Sequence, residues 1–230
     1  VPLTVDHPET GPYRSVVTIA EPRPTHTLDD ELTEALDRCD QGSVQLWVHN
    51  VDDQVDETVR RLGFTSYRDL WQLRCPLPLP ISDQPAITTR AFTAADSQDF
   101  LEVNRRAFAW HPEQGALSAD DLAARQREPW FDPNGFRLLH DGEELIGFCW
   151  TKIHTNPPLG EIYAIAVDPS RHGQGLGGPL TRAGLDWLAE HGLDTGMLYV
   201  ESDNHAANAV YTALGFVHHQ TNRAYVLDRP

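Results

Sequence analysis

From residue 86 onward the apolar positions alternate between a two-residue and a 3.6-residue period, and each change of period marks a new element. Ala86 to Phe92 reads as a strand. Ala94 to Ala109 then sets Phe100, Val103, Ala107 and Phe108 at helical spacing. Ser118 followed three residues later by Asp121 has the form of a capping box, which predicts a second helix through Gln126. Phe136 to His140 and Leu145 to Lys152 are apolar runs about Asp141-Gly142, a hairpin signal, and Glu161 to Val167 supplies a third strand. Gly175 to His191 reads as a helix with Leu180, Ala183, Leu185, Trp187 and Leu188 apolar and Gly192 as its stop. Met197 to Glu201 is a strand, His205 to Leu214 a short helix ending at Gly215, and Tyr225 to Leu227 part of a last strand. This order predicts an α/β domain, a mixed sheet with flanking helices.

Upstream, Cys75-Pro76-Leu77-Pro78-Leu79-Pro80 alternates proline with other residues, a pattern hostile to a helix or a central strand and expected to form a linker. The division this implies is residues 1–78, a linker over 79–85, and a main domain over 86–230. The first part is not independent of the second. Leu46-Trp47-Val48-His49 runs to Leu62-Gly63-Phe64 over the same interval that separates Leu198-Tyr199-Val200-Glu201 from Leu214-Gly215-Phe216. Val16 to Pro22 likewise echoes Tyr163 to Pro169. The first part is therefore expected to repeat the back half of the main domain. Because the sequence starts at Val1 and its only methionine is Met197, a natural start is expected outside it.

Composition narrows the partners. A net charge of −16 with no basic run opposes binding to nucleic acid or to an anionic membrane surface. Neither a long apolar span nor a basic-then-apolar leader is present, so a cytoplasmic protein is expected. Cys39, Cys75 and Cys149 are too widely spaced for a disulfide framework or paired metal ligands, and are assigned to structure. The 11 histidines include no His-Glu-x-x-His, and His218-His219 on a strand would face opposite ways, so no metal is expected.

One stretch suggests a ligand. His172-Gly173-Gln174-Gly175-Leu176-Gly177-Gly178 lies between a predicted strand and a predicted helix, where backbone N–H groups and the helix dipole can hold a phosphate. No Lys-Ser/Thr follows, so it is not a Walker loop. With Asn204-His205-Ala206-Ala207-Asn208-Ala209-Val210-Tyr211 downstream, the pattern resembles the GNAT acetyltransferase superfamily, apart from His172 where that family has Gln or Arg. The resemblance implies the GNAT fold, complete in the main domain and partial in the first segment. It also implies an acetyl-CoA site made of Ile165, Ala166, Val167, residues His172 to Gly178 and residues Asn204 to Ala209.

The likeness narrows to the mycothiol synthase family, tandem acetyltransferases of actinobacteria. Phe108-Ala109-Trp110-His111-Pro112-Glu113-Gln114-Gly115, Trp130-Phe131-Asp132-Pro133, Trp150-Thr151-Lys152-Ile153-His154, Gly160-Glu161-Ile162-Tyr163 and Leu198 to Asn204 carry it, in that order. The family acetylates the cysteinyl amine of cysteinyl-glucosaminyl-inositol, by direct transfer in a ternary complex. What the resemblance implies here is a general base at Glu161, a general acid at Tyr211, and substrate contacts from Glu113, Lys152, Glu161 and Tyr199. An α-amino group is largely protonated at neutral pH, so such a transfer needs a base. The first segment, with Arg14 opposite Glu161, Val59 opposite Tyr211 and no glycines over Arg23-Pro24-Thr25-His26, is expected to have lost this chemistry. A monomer is expected. The residues themselves leave open an acetyltransferase for another primary amine, such as a protein amino terminus or an aminoglycoside, and a non-catalytic acyl-CoA-binding module.

Overall fold

The computed structural model describes residues 3–8, 12–20, 25–81, 86–110 and 114–229. In chain order the elements are β1 (Thr4–Asp6), β2 (Ser15–Ile19), α1 (Thr25–Asp37), β3 (Gly42–Val48), α2 (Asp53–Arg61) and β4 (Thr65–Pro76). There follow β5 (Thr89–Ala91), α3 (Ser97–Ala107), α4 (Ala119–Gln126), β6 (Phe136–Asp141), β7 (Glu144–Thr155) and β8 (Pro158–Val167). The last four are α5 (Gly177–Glu190), β9 (Thr195–Glu201), α6 (His205–Ala213) and β10 (Val217–Arg229). They form two compact units, one of residues 1–72, 200–204 and 218–230, the other of residues 73–199 and 205–217.

In the first unit the strands run β1-β2-β3-β10-β4. β2 and β3 are parallel and β2 is paired along its whole length, from Ser15 opposite Val44 to Ile19 opposite Val48, and α1 is the crossover between them. Alternate residues Val17, Ile19, Val44, Leu46 and Val48 face Leu28, Leu32 and Ala35 of α1 to make the core. The Tyr225 hydroxyl on β10 donates to Asp56 Oδ1 at 2.7 Å, and Arg223 donates to the same oxygen at 2.9 Å. Burial alone would raise the Asp56 carboxyl, but hydrogen bonds from Arg60, Tyr225 and Arg223 outweigh it and hold it at about 2.

The second unit has the strand order β9-β8-β7-β6-β5 and, from β5 to α6, the element order expected from the sequence. The expected last strand, Tyr225 to Leu227, lies in β10 and belongs to the first unit, so the expected 86–230 division does not coincide with the second unit. Ser118 and Asp121 make the expected capping box at the start of α4. On one face of the sheet lies an aromatic cluster. Phe100 of α3 meets Phe136 and Phe148 edge-on at 4.9 and 4.8 Å, and Phe136 stacks between Phe92 and Trp150 at 4.6 and 4.5 Å. On the opposite face α5 lies very close to the strands, because Gly184 offers no side chain. A Cβ there would collide with Cys149 Sγ and come within 3.0 Å of Ile162.

The segment expected to be a linker is partly built in. Cys75 and Pro76 end β4, where no further ladder donor is needed from the proline. Leu77 donates its N–H to Asp194 O at 2.9 Å, and Leu77 and Leu79 are both buried. Alternation of proline with leucine thus keeps the chain extended while putting the leucines inside. Residues 82–85 of the expected linker lie outside the described residues.

Candidate active site

The second unit's site is created by an irregularity in β8. Trp150 is opposite Ala164 but Thr151 is opposite Ile162, so Tyr163 is an extra residue with no partner on β7. Ala164 and Ala166 pack on the aromatic cluster beneath α3, and strict alternation would continue through Ile162 and put Glu161 on the α5 face. The bulge reverses the phase. Tyr163 joins Ala164 on the aromatic face, Ile162 turns to Gly184 of α5, and Glu161 is placed opposite Lys152 on the aromatic side.

The second consequence is an opening. β8 pairs with β7 as far as Val167, whereas its parallel pairing with β9 covers only Gly160 to Ile162, opposite Gly196 to Leu198. Beyond Ile162 the β9 side of Tyr163 to Val167 carries no ladder, and these residues are all half-buried. Ile165, Ala166 and Val167, expected to contact the acyl donor, therefore line a wedge between two strands. Backbone N–H groups on the open side of such a strand are hydrogen-bond donors for an incoming carbonyl.

Three of the four residues expected to bind the acceptor share one face of the sheet. Lys152 is directly opposite Glu161, Met197 pairs with Glu161 from β9, and Tyr199 lies two positions beyond Met197. Tyr199 is 39% exposed and Glu161 only 8%. Glu113 lies outside the described residues. The Lys152 ammonium sits 4.8 Å from the Trp130 ring centroid and 5.7 Å from that of Tyr163, a cation–π arrangement worth about 0.5–2 kcal/mol. Trp130 is therefore a wall of the site, and the two rings touch at 4.9 Å.

One residue of this constellation had no expected role. His154 Nε2 is 2.6 Å from Glu161 Oε2. The available signal was its spacing of two from Lys152, which puts both on one face of a strand.

Tyr211 enters from the other side. It is 8% exposed on α6, which packs on α5, and its hydroxyl has no hydrogen-bond partner among the described residues. Burial, and then the proximity of Cys149, raise its pKa well above the ordinary phenol range. Burial likewise pushes the Cys149 thiol up to about 12, so it stays a neutral packing group.

The glycine loop leads from the end of β8 into α5. Gly173 and Gly175 have φ of +80° and +73°, in the region that favours glycine, and a Cβ on either would meet open space. Their requirement is conformational. The first turn of α5 has no side-chain cap at Leu176 and no acidic residue, so its N–H groups keep their attraction for an anion. His172 is exposed and its Nε2 is 3.1 Å from Val167 O, a contact back to the strand end. His205 to Ala209 make up the first turn and more of α6. Asn204, whose N–H donates to Glu201 O at 3.1 Å, belongs to the first unit. Among the described residues no group of three His, Cys, Asp or Glu side chains could hold a metal ion, and no helix is long and apolar enough to cross a membrane.

Residues 98–216 match the acetyltransferase (GNAT) family. The mycothiol acetyltransferase of Acidimicrobium ferrooxidans is 48% identical over 180 residues, covering 74% of this chain and 58% of that protein. The mycothiol acetyltransferase of Streptomyces coelicolor is 46% identical over 187 residues, covering 79% and 60%. The chain spans about three fifths of the length of the curated relatives it matches. Among solved structures, a GCN5-related N-acetyltransferase from Sphaerobacter thermophilus has a TM-score of 0.75 at 16% identity, covering 99% of this chain and 76% of that one. A tandem GNAT protein from the clavulanic acid biosynthesis pathway has a TM-score of 0.65 at 17% identity, covering 98% and 78%. These two likenesses concern the fold, a mixed α/β arrangement of the GNAT kind.

Proposed function

Since the chain belongs to the acetyltransferase (GNAT) family, we propose that it carries the acetyl group of acetyl-CoA to the cysteinyl amine of cysteinyl-glucosaminyl-inositol, forming mycothiol. The observation that supports this reading most directly is the register of β8. A single bulge at Tyr163 both opens the wedge beside β9 and sets Glu161 on the face that carries Lys152 and Tyr199.

The residues suit the parts of the donor. A pyrophosphate needs N–H groups and positive potential, which the Gly173–Gly178 backbone and the start of α5 provide. The thioester would thread the wedge, with N–H groups of Ile165 to Val167 holding the acetyl oxygen and the charge that develops on it.

Glu161 takes a proton from the ammonium, directly or through water, because only the free amine can attack. Tyr211, kept protonated by burial, donates to the departing sulfur from the α5 side. Base and acid thus work from opposite faces of the sheet. For the acceptor, hydroxyls of a sugar and an inositol require donors and acceptors together, which Lys152, Tyr199 and Glu113 supply.

We read residues 1–78 as a partial, degenerate copy that does not catalyse. The order β2-α1-β3-α2-β4 repeats β8-α5-β9-α6-β10. Pairing refines the equivalence expected from the sequence echo. If Leu46 corresponds to Leu198, its partner Val17 corresponds to Ile162, so Val16 and not Arg14 stands in the place of Glu161. No carboxylate occupies that place on either count.

The test is a direct acetyl-CoA consumption assay with cysteinyl-glucosaminyl-inositol beside an aminoglycoside and a peptide amino terminus. Turnover of the conjugate at least tenfold more efficient than of the other amines is expected. Efficient turnover of one of the others, with none of the conjugate, would sink the assignment of acceptor.

A further inference from the structure

We propose that His154 is a positioning residue for Glu161. It orients the carboxylate so that one oxygen is held by the protein and the other is left to accept the substrate proton. The inference rests on Glu161 as the base and adds what makes that carboxylate a directed one.

The two side chains come from neighbouring strands locked in register. Lys152 is opposite Glu161 and His154 is opposite Leu159, so His154 reaches Glu161 diagonally on the same face. Its Nε2 lies 2.6 Å from Oε2, a short contact characteristic of a charge-assisted bond, and because the acceptor is a carboxylate the hydrogen resides on Nε2. Oε1 has no hydrogen-bond partner among the described residues.

Lys152 does not compete for the carboxylate. Its ammonium lies over Trp130 and Tyr163, and no Lys152–Glu161 ion pair exists among the described residues. A lysine bonded to Glu161 would lower the basicity of the group that must take a proton. A single imidazole N–H fixes the rotamer, and both groups sit on paired strands, which hold a side chain more precisely than a loop does.

Steady-state kinetics of His154→Ala, His154→Gln, Glu161→Gln and the double variant His154→Ala/Glu161→Gln test this, with thermal melts as the check on folding. His154→Ala is expected to lower kcat about 10- to 100-fold, the scale of one lost hydrogen bond to a charged group, with the KM for acetyl-CoA within about twofold. His154→Gln keeps an N–H donor and should recover to within about fivefold of the parent. The double variant should be no slower than Glu161→Gln alone, because an orienting group has nothing left to orient. If His154→Ala stays within about twofold of the parent while Glu161→Gln is crippled, the positioning role fails and the base stands. A His154→Gln protein that melts normally but is as slow as His154→Ala overturns it as well. If Glu161→Gln keeps the parent rate, the base assignment falls first and the role of His154 with it.

Discussion

Arg106 of α3 donates from Nε to Asp168 Oδ2 at 2.8 Å, tying a helix to the residue that follows β8 and begins the turn into the glycine loop. Asp168 is almost fully buried and also accepts from the Ser170 N–H at 2.9 Å and hydroxyl at 2.7 Å. Burial alone would raise its pKa, but the two Ser170 contacts and then Arg106 outweigh it, so the carboxyl titrates below the ordinary range. Arg106→Ala leaves this carboxylate short of its charged partner. A stability loss of about 1–3 kcal/mol is expected at pH 7 in urea unfolding. The sign with pH follows from the depressed pKa. The stabilisation is complete above the unfolded-state value of about 3.9 and disappears as pH falls through the lower folded value. The difference between parent and variant should therefore begin to shrink as pH falls below about 4 and be gone below the folded-state value, and a difference that persists at still lower pH would mean that Arg106 acts through packing.

Gly173 and Gly175 offer a cleaner separation of strain from space. Each has positive φ and open surroundings, so alanine adds only the cost of the left-handed region, about 1–2 kcal/mol. The expected outcome for Gly175→Ala is a raised KM for acetyl-CoA with kcat within a few-fold, since the role proposed for the loop is to hold the donor far from the reacting carbon. Asparagine tolerates this region better and should perform better than alanine at the same position. Equal KM values for parent and Gly175→Ala would remove the loop from the donor site.

What the sequence made legible was what depends on period. The order of elements over 86–230, the capping box at Ser118 and the helix stop at Gly192 are local, and local pattern is enough to find them. The bulge at Tyr163 was hidden, because Glu161 to Val167 reads as one uninterrupted strand and an extra residue shows only against a partner. The pairing of His154 with Glu161 was hidden for the same reason, since a diagonal contact requires the register. The end of β4 was misread from composition. Proline removes a donor, which argues against a strand interior, yet says nothing against a last position at which Leu77 can turn inward.

Tyr211→Phe should separate activity from stability. The side chain is largely buried and its hydroxyl makes no hydrogen bond among the described residues, so removing the hydroxyl breaks none there. The melting temperature is expected to hold or rise while kcat falls about 10- to 1000-fold for loss of a general acid. Since burial raises this phenol above its usual value of 10.0, its deprotonation should cause no alkaline fall in rate below about pH 10. A Phe variant as fast as the parent would leave the thiolate to be protonated by water.

Titration calorimetry should find one acetyl-CoA per chain, because the two parallel strand pairs end differently. In the second unit β8 and β9 part after Ile162 and leave five residues of β8 without a ladder on that side. In the first unit β2 and β3 stay paired to Ile19 and Val48, and the His49 N–H donates to Ile19 O at 2.9 Å beyond them. Opening that pair to admit a thioester would break backbone hydrogen bonds worth about 0.5–1.5 kcal/mol each and expose Val17, Ile19, Leu46 and Val48, all buried in the core. No comparable cost attaches to the wedge beside β8. A stoichiometry of two would show that the first unit binds the donor by some route other than a strand opening, and would end its reading as a copy without a donor site.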